Sequence, residues 1–291
     1  MQFIKSLISV SLSLLLAAGC VAAGEGDPAT PTAVPSGAPV ASAQEDATVT
    51  SGAVRTSVIV ADGENLSLAD AVISGGAYDV AISVGSLGTL TATGITASAE
   101  SGQLLSVTGG TVSFAGSVLT GGSTFSGTCV ADYQDVILST VEETPLFQVS
   151  SGNTDLGLSG VSLAEEPGTL LSLTNAEVTL QVTGSSLSGA ITLDDPSTLT
   201  LVLSESAYTG CFDADACRYV VLTLGEGSSF TLTDDTYLDA LTGSAEELET
   251  ILSRIQSNGF TLYYNAENVQ SAWLNAKAYS LSGGGTLSPL I

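Results

Sequence analysis

Apolar and polar positions alternate along this chain in short runs, and the runs recur about every 22 residues. One set of strands begins at Leu66, Leu90, Val112, Ala131, Leu156, Leu180, Leu201 and Phe230. Within it, apolar residues stand at the start, two positions on, and again five to seven positions on. Leu156, Leu158, Val161 and Leu163 show the pattern, as do Ala131, Tyr133, Val136 and Leu138. A second set precedes it in each block and ends at Val84, Val107, Val149, Leu173 and Leu193. Strands repeated at this period, without helices between them, predict a solenoid in which each coil stacks on the last. Gly75-Gly76, Gly109-Gly110 and Gly121-Gly122 are expected at equivalent corners, with Ser67, Thr91, Ser113 and Gln181 pointing outward. The expected fold is all-β, a right-handed parallel β-helix of about eight coils over residues 48–243. A sandwich of hairpins is the competitor, but its Asn-Gly or Asp-Gly turns occur only at Asp62-Gly63 and Asn258-Gly259.

The pattern changes near the C-terminus. Ser244 and Glu247 are spaced as a capping box, and Leu248, Ile251, Leu252 and Ile255 follow at helical spacing. A helix is expected over 245–257, ended by Asn258-Gly259. With the strands from Phe260 and Tyr279, it would form a cap over 244–291 that covers the open sheet edges of the last coil.

The N-terminal segment has a different composition. Lys5 precedes an apolar run from Leu7 to Leu16 that is too short to span a bilayer. Residues 1–19 read as a signal peptide. The sequence LAAGC, ending at Cys20, resembles the bacterial lipoprotein signal, which implies acylation of Cys20 as the new N-terminus. Ordinary secretory cleavage near Ala22 or Ala23 is the alternative. Residues 20–47, with Pro28, Pro31, Pro35 and Pro39, have the composition of an extended tether.

The coil pattern resembles the pectin-lyase-like right-handed β-helix superfamily. The stretches Val220 to Leu241 and Asn258 to Asn265 are similar to the C-terminal coils of β-helix surface proteins of anaerobic gut bacteria. In those proteins an aromatic residue, usually Trp, stands where Phe230 stands here. The resemblance implies a cell-surface location and contact with glycans or cells.

Charge narrows the function classes. Thirty Asp and Glu face five Lys and Arg, with no His, for a formal charge of −25. Nucleic acid, polyanionic glycans and anionic lipid surfaces are excluded as partners. The Asp, His, Arg and Lys cluster of polygalacturonase-like hydrolases cannot be assembled without His. Lyase-type elimination would need Arg218 beside Asp213 and Asp215, the same two carboxylates that form the candidate calcium site. A glycosidase would need a dyad drawn from Glu142-Glu143, Glu165-Glu166, Asp194-Asp195 and Asp234-Asp235, which read first as solvated corners. Cys211 and Cys217 bracket a short insert that a disulfide could close after export, while Cys129 reads as a small buried hydrophobe.

Tyr263, Tyr264, Trp273 and Tyr279 gather near the C-terminus, as packing of the cap or as a platform for sugar stacking. The expectation is a non-enzymatic, monomeric surface lipoprotein, lipid-anchored outside the cytoplasm, that presents an elongated face to a glycan or a cell-surface protein. A carbohydrate-active enzyme and a structural module of an envelope complex are the rival classes.

Overall fold

Leu66, Leu90, Val112, Ala131, Leu156, Leu180, Leu201, Leu222 and Leu241 stand directly above one another in a single ladder of parallel strands. In the computed structural model, which describes residues 58–75, 80–141, 144–212 and 220–290, this ladder is one of three around a shared core. The result is a parallel β-solenoid of about ten turns, two more than the repeat suggested. Successive members of the ladder are separated by 19 residues (Val112 to Ala131) to 25 residues (Ala131 to Leu156). The period is therefore elastic, and corner insertions absorb the difference.

Most turns carry three strands rather than two. The first face stacks Ile82–Val84 against segments ending at Val107, Phe125, Val149, Leu173 and Leu193. Every first-set strand end read from the sequence lies in this ladder, with Phe125 as an additional rung. The second face begins at Asn65–Ala69, and the third at Val72–Gly75. The long second-set runs bend at a corner: Leu156 and Leu158 lie on the second face, Val161 at the bend, and Leu163 on the third face. Phe230 also falls on the third face, in register with Tyr208, and Leu222 takes the second-face rung of that turn.

The second-to-third bend is made by a column of left-handed residues. Asp70, Gly94, Gly116, Asp135, Gly160, Gly184, Glu205 and Gly227 all have φ between 48° and 67°. The amide of each of the first seven bonds to a carbonyl of the next turn, as in Gly94 N–H to Ala115 O at 2.8 Å. These glycines, rather than the Gly-Gly pairs, mark equivalent corners. Gly109-Gly110 lies between the first and second faces, whereas Gly121-Gly122 lies between the third and first. Just after the bend, Ser117 and Ser185 are buried yet satisfied, because their Oγ atoms accept the amides of Ile95 and Val161 one turn earlier.

The core is one column of Leu, Val and Ile, interrupted by two aromatic clusters. Phe114 stacks on Tyr133 with ring centroids 5.3 Å apart, and Tyr208 on Phe230 at the same distance. Cys129 is buried in this column, as its sequence position suggested.

The C-terminal helix is shorter than its periodicity implied. It spans Leu248–Ser253 and sits in the corner between the second-face strand Ala240–Leu241 and the third-face strand Ile255–Gln256. Ile255, expected on the helix, instead pairs in parallel with Phe230, because ladder pairing outweighs a marginal helical turn. Ser244 Oγ meets the Glu247 carboxylate at 2.8 Å without capping a helical amide. Asn258 and Gly259, with φ of 51° and 90°, form a tight turn after Gln256 instead of ending the helix.

The solenoid continues past this point. Thr261–Asn265 pairs in parallel with Thr236–Leu238, and Thr286–Leu290 with Thr261–Asn265. Covering of the second-face edge falls to the 3-10 helix Val269–Leu274. There Ser271 Oγ accepts the Leu241 amide at 3.2 Å, and Trp273 Nε1 donates to the Leu241 carbonyl at 2.8 Å.

Candidate functional site

A strand that buries alternate residues must point the others outward, and on the first face the outward residues after Ile59, which heads the column beside Ser83, are all polar. Ser83, Ser106, Thr124, Gln148, Ser172 and Thr192 stand one above another over six rungs. Thr192 Oγ1 donates to Ser172 Oγ at 3.1 Å, and Gln103 Nε2 to Thr124 Oγ1 at 2.9 Å, which orients these three hydroxyls. Nearer the C-terminus, in a separate four-stranded sheet, Tyr237 and Tyr263 are register partners, and Tyr237 borders a hollow shared with Thr192. Their rings are half-exposed and stacked nearly parallel, 4.8 Å apart and inclined by 12°. Between column and rings lies a hollow of about 320 Å³, lined by Ile191, Thr192, Phe212, Asp235 and Tyr237. A second hollow of about 250 Å³ is lined by Gly102, Gln103, Gly122, Thr124, Pro145 and Gln148.

The four C-terminal aromatics therefore separate. Tyr263 joins the outer face. Tyr264 is fully buried and donates to the Lys277 carbonyl at 2.9 Å. Trp273 binds the Leu241 carbonyl, and Tyr279 donates to the Leu274 carbonyl at 2.9 Å. Those three hold the cap together. Tyr237, which the sequence reading passed over, belongs with Tyr263. Its signal is the alternation around Leu238, one coil before Leu262 and Tyr263.

The acidic doublets are spread among different corners. Glu165-Glu166 follows the third-face strand Ser162–Leu163, and Asp234-Asp235 follows Ser229–Leu232, three rungs on. At about 4.8 Å per rung their separation is about 14 Å. A glycosidase pair sits about 5 to 10 Å apart. Asp194-Asp195 lies at another corner, between the first and second faces. The Asp194 carboxylate is held below its ordinary range by its bond from the Ser197 hydroxyl and by the Asn175 amide at 2.9 Å. Asp235 accepts the Thr261 amide, and Asp239 accepts the side-chain amides of Asn265 and Asn268. These carboxylates close corners.

Among the described residues no group of three or more His, Cys, Asp or Glu is gathered as for a metal ion, and no helix is long and apolar enough to cross a membrane. The candidate calcium ligands Asp213 and Asp215, Arg218, Cys217 and the lipidation candidate Cys20 lie outside the described residues, as do the signal peptide, the tether and Glu142-Glu143. Cys211 is half-buried, and its carbonyl accepts the Ile191 amide at 3.0 Å. No family model, curated protein or solved structure matches the chain.

Proposed function

We propose that this protein is a non-enzymatic surface lipoprotein of a bacterium, whose solenoid presents its first face to a glycan. The observation that carries the reading is the hydroxyl and amide column from Ser83 to Thr192, running toward the stacked pair Tyr237 and Tyr263. Sugars are bound by fixed hydroxyl and amide groups together with aromatic surface, and this face supplies both without a charged residue between Ser83 and Thr192. The dispersal of the acidic doublets supports binding over hydrolysis. The lipobox-like LAAGC and the Pro-containing tether support display away from the membrane. The likeness of the coils to pectin-lyase-like surface proteins points the same way.

A panel of neutral and acidic glycans, probed with the full chain, tests the reading. The expected result is retention on neutral glycans that falls in both Gln148→Ala and Tyr263→Ala, with an acylated Cys20 at the N-terminus of membrane-extracted protein. Blank arrays, retention indifferent to both substitutions, or sugar release from the array would overturn it.

A further inference from the structure

The third face is not used by the glycan reading, and its surface is of another kind. Its outward positions form two columns, and over the eight rungs from Val72 to Ser229 neither holds a charged side chain among the described residues, in a chain of formal charge −25. Over the first four rungs one column is β-branched throughout: Val72, Thr96, Val118 and Ile137. Val72, Val118 and Ile137 are 43%, 40% and 43% exposed, although large aliphatic side chains elsewhere in these turns are mostly buried. The neighbouring column is Ser74, Ser98, Thr120 and Ser139. Carboxylates rim the strip on both sides. Asp70 and Asp135 stand exposed at the second-to-third bend, and Glu100 stands exposed at the third-to-first bend. The basic residues among those described are Arg254 and Lys277, both beyond the eighth turn, so neither of them neutralises this rim.

We propose that this strip docks a cationic amphipathic peptide segment. The peptide's apolar ridge would lie on Val72, Val118 and Ile137, with its Lys or Arg flanks toward Asp70 and Asp135 on one side and Glu100 on the other. Four rungs extend about 14 Å, which matches about two and a half turns of helix. A helix about 10 Å across is also close to the width of the strand face. An apolar ridge flanked by basic residues complements an apolar strip flanked by acids in both shape and sign. A second copy of this chain is the poorer occupant. It would press like-charged rims together, and a strip of this size offers on the order of 150 Å² where a stable dimer needs about 800 Å² per partner.

The test titrates the full chain with an 18-residue Leu/Lys peptide of helical amphipathic pattern, and with the same composition scrambled. Titrations are run at low and at about 0.15 M salt, where the screening length is about 8 Å. The expected result is that the amphipathic peptide binds about tenfold more tightly than the scrambled one, and that Val118→Ser with Ile137→Ser abolishes this preference. Asp70→Asn with Asp135→Asn should weaken both peptides and flatten the salt dependence. Both aliphatic positions are on the surface, so an unchanged circular dichroism spectrum verifies that the variant folds. Equal binding of the two peptides would reduce the effect to net charge and overturn the proposal. So would a preference that survives the serine substitutions, or a concentration-dependent dimer that those substitutions abolish.

Discussion

Tyr133 is enclosed in the solenoid core, stacked on Phe114 and edge-on to Phe147, and its hydroxyl donates to the Ser123 hydroxyl at 3.4 Å. Tyr208 lies in the other aromatic cluster, its hydroxyl donating to the Gly189 carbonyl at 2.8 Å. Burial pushes both phenols above their ordinary value of 10.0; at Tyr133 the bond with Ser123 opposes this only in part. The folded chain therefore holds these two protons more tightly than the unfolded chain does. Their contribution to stability is complete below about pH 10 and is lost as the pH rises above it. Urea midpoints at about pH 9 and about pH 11 check this. Wild type should lose stability between them, and Tyr133→Phe should lose less. Equal losses in the two proteins would contradict the assignment.

At the scale of the element, the informative unit is the corner. The second-to-third bend needs a left-handed residue in every turn, which Gly adopts freely and other residues only at a cost. Gly184, with φ of 59°, has no atom within 4 Å of where a Cβ would stand, so substitution there tests backbone strain alone. Gly184→Ala should lower unfolding stability by about 1 to 2 kcal/mol in urea titration, and Asp135→Gly at the equivalent corner should cost nothing or stabilise. An unchanged Gly184→Ala protein would remove the corner's backbone requirement.

The strands were legible in the sequence because each face buries every second residue, and seven of the eight second-set starts share one ladder. The third strand of each turn was not, because Val136 and Val161 point inward at the bend and continue the apolar pattern without a gap. Single Gly at positions 94, 116, 160 and 184 carried the corner signal, but conspicuous Gly-Gly pairs drew the reading elsewhere. Of the site, Tyr263 was legible. Tyr264 could have been excluded by counting alternation from Leu262, whereas the roles of Trp273 and Tyr279 depend on carbonyls that only the folded chain brings near.

Across the whole molecule, charge and surface chemistry are sorted by geometry. Among the described residues most acids sit at corners, and the faces carry mainly hydroxyls, amides and small side chains, so one scaffold offers distinct strips: a polar and aromatic one on the first face and an aliphatic one on the third. Both functional proposals require that the rungs stack in parallel and in register along one axis. Nitroxide distances along the second face test this directly, with one label on Ser67, the second on Asp132, Gln181 or Thr223 in turn, and the native thiols replaced by serine. These sites lie three, five and seven rungs from Ser67 in the ladder. The distances should rise linearly, to about 14, 24 and 34 Å. Distances that fail to grow with rung number, or that reverse as they would across two facing antiparallel layers, would contradict the solenoid.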